Sequence, residues 1–245
     1  MTDSDPFAAA HRQPPATRPL LGLTILVVED SRYACDAMRL LCLRSGARIR
    51  RADSLRAARR HLQVYRPSVL VVDVGLPDGS GLDLIEELVG TTPRVGVILA
   101  TSGDDFAETA AIAAGADGFL PKPLTSVALF QQTILDLLPA DRHPSGPRVV
   151  YDEEVRPDPL AYRDDMAHVA EVLTDLTTRP ERADEKVLDY VAQFLGGVAR
   201  SAHDTVLAKA AADLAEARAE GQPVTSGTAR IAGLVQDRLH AREAI

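Results

Sequence analysis

Four apolar runs in the first half of the chain each stop at residues able to do chemistry. Leu23–Val28 runs into Glu29-Asp30-Ser31, and Ser68–Val72 into Asp73. Val95–Ala100 runs into Thr101-Ser102, and Gly118–Leu120 into Pro121-Lys122-Pro123. Runs this apolar, without polar alternation and bounded by turn residues, suit strands covered on both faces, as in a parallel sheet. In an open α/β sheet, ligands bind beyond the carboxyl ends of the strands. Glu29, Asp30, Asp73, Thr101 and Lys122 are therefore expected along one edge. Each alone has an ordinary explanation, because Asp and Ser cap helices and Lys is usually solvated. Their joint occurrence, with a strand before each, points to a site.

The elements that must position these residues alternate strand and helix from Leu21 onward. Helices are expected from about Ser31 to Ser45, closed by Gly46; from Asp53-Ser54 to before Pro67; and from Gly81 to Val89. Two more are expected from Asp105 to Gly115, with Glu108 at capping-box spacing, and from Thr125 to Leu138. The strand at 48–52 has only Ile49 and Ala52 apolar and belongs at a sheet edge. Five such units predict a doubly wound, five-stranded parallel sheet in the flavodoxin-like order 2-1-3-4-5.

Residues 22–138 resemble the receiver domain of two-component response regulators, with its CheY-like fold. The resemblance rests on Glu29-Asp30 after the first strand, Asp73 with Pro77 and Gly81 downstream, Thr101 after the fourth strand and Lys122-Pro123 after the fifth. It implies a Mg²⁺-dependent phosphoacceptor. Asp73 would attack a phosphoryl group supplied by a histidine kinase or phosphotransfer protein, forming a mixed anhydride. Asp30, Asp73, the Gly75 carbonyl and water would hold the Mg²⁺, with Glu29 acting through water or orienting Asp30. The commonest family pattern has an aspartate where this chain has Glu29. Lys122 would contact one phosphoryl oxygen and Thr101 another. Thr101 and Phe119 stand at the family's switch positions. Ser102 is small, leaving room for the donor. Gly75 and Gly103 flank the pocket with no side chain to guide water, which predicts a long-lived acyl phosphate.

The second half, 160–245, reads as an all-α bundle. Its stripes are Met166-Val169-Leu173-Leu176, Val187-Val191-Leu195-Val198, Val206-Leu207-Ala210-Ala211-Leu214 and Ile231-Leu234-Val235-Leu239, with breaks at Pro180, Asp204 and 221–223. Residues 1–20, with four prolines, read as a mobile tail, 21–139 as the first domain, and the proline-rich 140–159 as a linker. The helical half is expected to serve output or dimerisation through protein contacts, with a downstream protein partner or a homodimer.

Composition narrows the alternatives. The 245 residues carry a formal charge of -8, and residues 141–245 hold 13 Lys+Arg against 19 Asp+Glu, a net of -6. No helix there carries a dense basic face, which disfavours nucleic acid and a DNA-reading output. The chain has no GxxxxGK loop, no membrane-length apolar run and no signal-peptide pattern, so a cytoplasmic protein without membrane association is expected. Cys35 and Cys42 lie about 10 Å apart along one helix, too far for a disulfide. Two alternatives remain, a DNA-binding transcriptional regulator with an unrecognised helical domain and a phosphorelay intermediate using His168 or His203; Asp204 reads as a helix cap beside His203. The eight arginines from Arg44 to Arg66 form either a solvated face or a docking patch for the acidic second half.

Overall fold

The computed structural model describes residues 14–104, 106–144, 153–178 and 185–241. Strands β1 (Thr24–Val28), β2 (Arg48–Ala52), β3 (Val69–Asp73), β6 (Val97–Ser102) and β7 (Gly118–Pro121) form an all-parallel sheet in the order β2-β1-β3-β6-β7. Counted among the sheet strands, this is the expected order 2-1-3-4-5. β2 lies at one edge and is largely exposed, as its arginines require.

Alternate residues of the central strands face opposite layers. Ile25, Val27, Val69, Val71, Val97 and Leu99 pack under α1 (Arg32–Ser45) and α5 (Val127–Leu137). Leu26, Val28, Leu70, Val72, Ile98 and Ala100 pack under α2 (Leu55–Val64), α3 (Gly81–Val89) and α4 (Ala107–Ala113). Ser31, Ser54, Ser80 and Ser126 each cap the helix that follows, accepting a backbone N–H through the side chain. The Asp105 start expected for α4 lies outside the described residues; Phe106 holds the cap position and makes no side-chain cap bond.

After β3 the expected turn is a small antiparallel hairpin, β4 (Gly75–Leu76) with β5 (Gly79–Ser80). Its return brings Gly81 against the backbone of Asp73: a Cβ there would lie 2.0 Å from the Asp73 carbonyl oxygen. Only glycine admits that approach.

Among the described residues the second half has four helices, α6 (Pro159–Thr178), α7 (Glu185–Ser201), α8 (Thr205–Ala219) and α9 (Thr225–His240). Met166, Val169, Leu173, Val191, Leu195, Val198, Leu207, Leu214, Ile231 and Val235 form its core. Val206, read as part of the α8 stripe, is instead 52% exposed. Leu207, about 100° further round the helix, takes the buried place. The break at Asp204 is a cap: its carboxylate accepts from Leu207 N–H at 3.0 Å, from the Tyr162 hydroxyl at 2.8 Å, and from Arg238 at 2.7 and 2.9 Å. The Pro180 break lies outside the described residues. No helix among the described residues is long and apolar enough to cross a membrane.

The two halves are packed together. Leading into α6, Val155 is buried in the α1–α5 layer, and the backbones of Thr125 and Val127 exchange hydrogen bonds with Val155 and Glu153. α6 and α7 then cross the carboxyl edge of the sheet, against α1 and β4.

Candidate functional site

The parallel register sets Asp73 beside Thr101 and Ser102 beside Pro121, with Lys122 next along the chain. The Lys122 ammonium reaches Asp73 Oδ2 at 3.1 Å and Glu29 Oε2 at 2.7 Å. The other Glu29 oxygen accepts from Ser31 N–H at 3.1 Å. One oxygen each from Glu29, Asp30 and Asp73 lie within 4.8 Å of one another. The sequence reading placed these four residues together, and the structure does bring them together.

Burial dominates the electrostatics. Glu29 and Asp73 are nearly inaccessible, and loss of solvent raises both carboxyls above their ordinary range. Lys122 opposes the shift in both cases; for Asp73 the backbone amides of Gly75 and Val74 oppose it too. Asp30 is pushed up to about 7, again chiefly by burial, against the pull of a hydrogen bond from Tyr190. The Lys122 ammonium is held firmly charged: burial disfavours the charge, but the carboxylates around it outweigh that. Asp30 Oδ1 is buried with no hydrogen-bond partner. An orphaned buried carboxylate oxygen is costly unless a cation or water meets it. Three converging carboxylates with that unpartnered oxygen fit a hard divalent cation of the Mg²⁺ type.

Thr101 is buried, and its hydroxyl donates to the Leu120 carbonyl at 2.7 Å rather than facing the carboxylates. Phe119 packs half-buried against the α2–α4 layer. Cys35 and Cys42 are free buried thiols, each raised to about 12 by burial.

The second half changes the site in ways no local pattern announced. The Tyr190 hydroxyl of α7 donates to Asp30 Oδ2 at 2.6 Å. Asp165 of α6, 2% exposed, reaches the N-terminus of α1, accepting from Ser31 Oγ and Arg32 N–H at 2.8 Å and from Tyr33 N–H at 3.1 Å. Gln193 lies directly over Gly75 and Arg200 over Gly103. The bare flanks expected at Gly75 and Gly103 are therefore covered from outside the sheet. The open approach expected beside Ser102 is closed likewise: Asp73 is 8% exposed, and the cavity before it holds about 30 Å³. Among the described residues the ion pairs joining the halves are Arg32–Asp164 at 2.8 Å and Arg44–Glu153 at 2.7 Å, both from α1; of the arginine patch only Arg44 takes part, and none of the α2 arginines does. Arg51, Arg56 and Arg60 instead line an open cleft opposite Asp164 and Glu171. His168 is exposed, edge-on to Phe194 and 3.4 Å from the Tyr190 hydroxyl. His203 is exposed in the α7–α8 turn with φ 58°.

Residues 25–134 match the family described as the response regulator receiver domain. The KDP operon transcriptional regulatory protein KdpE of Escherichia coli K12 is 29% identical over 99 residues, 40% of this chain and 44% of its own length. The probable transcriptional regulatory protein TcrX of Mycobacterium tuberculosis H37Rv is 34% identical over 108 residues, 42% and 44% of the two chains. Among solved structures, the receiver domain of sensor histidine kinase PA1611 from Pseudomonas aeruginosa PAO1, described with a magnesium ion in its active-site cleft, matches at 22% identity and TM-score 0.43. That match covers 47% of this chain and 97% of its own. By the family match, residues 25–134 are a response regulator receiver domain. The chain spans less than half the length of the curated relatives it matches.

Proposed function

We propose that the protein is a two-component response regulator, cytoplasmic, accepting a phosphoryl group on Asp73 from a histidine kinase or phosphotransfer protein. The observation that carries this reading is the Lys122 ammonium bridging Asp73 and Glu29 within a cluster of three buried carboxylates. A lone ion pair would need one carboxylate. The surplus negative charge calls for a cation, and the unpartnered Asp30 Oδ1 is suited to meet it.

Asp73 is the nucleophile. One of its carboxylate oxygens attacks phosphorus in line while the bond to the donor's imidazole nitrogen breaks. The imidazole keeps the electron pair and takes a proton from solvent. Lys122 balances charge on a phosphoryl oxygen without moving far from Asp73. Thr101 breaks its bond to the Leu120 carbonyl and turns its hydroxyl to another phosphoryl oxygen. That turn vacates space toward which Phe119 shifts, so two packings exchange population. Glu29, Asp30, Asp73 and the Gly75 carbonyl would hold Mg²⁺, which when bound supplies charge neutralisation for an anion attacking an anion. The helical half carries the output through protein contacts, its net charge of -6 (13 Lys+Arg against 19 Asp+Glu over 141–245) being unfavourable for a DNA surface.

The test is incorporation of labelled phosphoryl from a purified kinase or acetyl phosphate in Mg²⁺. Wild type should take up hydroxylamine-labile label and Asp73→Asn none. Equal labelling of the two would reject Asp73 as the acceptor.

A further inference from the structure

Gln193 and Arg200 lie two turns apart on one face of α7, and each covers a position where the receiver has only glycine. A Cβ on Gly75 would lie 2.2 Å from Gln193 Nε2. A Cβ on Gly103 would lie 2.9 Å from Arg200 Nη2 and 3.3 Å from the Gly197 Cα. Glycine at both places lets α7 sit down on the cleft, and Gly103 admits the α7 backbone at Gly197 beside the loop after β6. Both side chains line the cavity in front of Asp73 and Lys122. Neither makes a side-chain hydrogen bond or ion pair among the described residues. A guanidinium that faces a cleft holding three carboxylates, yet pairs with none of them, has its donors free for something else.

We propose that α7 supplies the second half of the phosphoryl-binding site: Arg200 and Gln193 donate to the phosphoryl oxygens of phospho-Asp73, so that the modification tightens the helical half onto the receiver. This rests on the acceptor reading above and goes beyond it. Charge supports it. Phosphorylation turns the single negative charge of Asp73 into close to two, beside the two remaining carboxylates, Glu29 and Asp30, and one ammonium. A divalent cation offsets two, and Arg200 is the nearest further cation lining the cavity. Guanidinium and carboxamide N–H groups both suit phosphoryl oxygens. Size sets the order of events. A cavity of about 30 Å³ holds water molecules but no imidazole-bound phosphoryl group. α7 lifts for transfer and returns onto the product, with its two long side chains swinging to make room.

The experiment uses the full chain with Mg²⁺ and beryllofluoride, a phosphoryl mimic, followed by the ¹⁹F resonances of bound fluoride and by hydrogen exchange of the α7 amides. Both residues are exposed, so alanine at either should leave the fold intact, checked by circular dichroism. Arg200→Ala is expected to weaken binding of the mimic about ten- to a hundred-fold and Gln193→Ala several-fold, with Arg200→Lys restoring part of the loss. In wild type the mimic should slow exchange in α7. Arg200→Ala binding within two-fold of wild type, or faster α7 exchange in the presence of the mimic, overturns the inference while leaving the acceptor reading standing. No bound fluoride in wild type, matching an Asp73→Asn control, overturns both.

Discussion

Removing the Tyr190 hydroxyl tests whether the second half competes with the cation for the acceptor site. Its bond to Asp30 Oδ2, at 2.6 Å, is short and charge-assisted, a type worth about 1.5–3 kcal/mol. Tyr190 is half-buried rather than sealed, so the lower end applies, near 1.5 kcal/mol, roughly ten-fold in an equilibrium constant. Mg²⁺ would take up that carboxylate, so the hydrogen bond stabilises the metal-free state and is given up on binding. Tyr190→Phe should therefore raise Mg²⁺ affinity up to about ten-fold, measured by titration calorimetry at pH 8. The size of the gain depends on pH. Asp30 is already raised to about 7, and the Tyr190 bond is among the influences holding it down. Without it the carboxyl titrates higher, so at pH 6 more of the variant must lose a proton before binding metal, and the advantage should shrink. An affinity unchanged or weakened at pH 8 would refute the competition and mean that the phenol stays bonded to metal-loaded Asp30.

Three further outcomes follow from the same geometry. Asp30 titrates near 7 in the folded protein against 3.8 as an ordinary aspartate, so the native state holds the extra proton between those values and stability falls as pH rises through that window. Thermal unfolding without metal should show a lower Tm at pH 8 than at pH 5.5, with Mg²⁺ recovering more at pH 8; a Tm independent of pH would contradict the buried cluster. Asp165→Ala removes the carboxylate that caps α1 from α6 and should cost about 1–2 kcal/mol. The loss should appear as lower denaturant resistance and faster hydrogen exchange in the first turn of α1; unaltered exchange there would show that Ser31 caps the helix without help. Arg238→Ala strips Asp204 of its paired guanidinium, which holds that carboxyl at about 2. Chemical denaturation should find the variant about 1 kcal/mol less stable, discounted because both side chains are partly exposed, and losing less stability than wild type as pH falls from 4 to 2.

The receiver half was legible because its signals are local. Each strand is a short apolar run, each serine cap lies next to the helix it starts, and in a parallel sheet every strand delivers its last residue to the same edge. Order along the chain was enough to bring Asp73, Thr101 and Lys122 together, and Gly81 marked the return against Asp73. The helical stripes were also legible from their period, apart from Val206, where two adjacent apolar residues left the rotation of α8 ambiguous by about 100°. What the sequence by itself determined was the two element patterns and the chemistry at one sheet edge.

Only the tertiary structure decided what lies over that edge. Tyr190, Gln193 and Arg200 stand at helical spacing on α7 with no motif to mark them. Their contacts with Asp30, Gly75 and Gly103 cross more than ninety residues of sequence. Gly75 and Gly103 read as bare positions from the sequence because a missing side chain does not say what will fill its place. The physical reason is the difference between local and docking information. Propensity, capping and periodicity act within a few residues. The pose of one folded half on another depends on surface shape and on a few polar anchors, such as Asp165 at the α1 N-terminus, that exist only once both halves have formed.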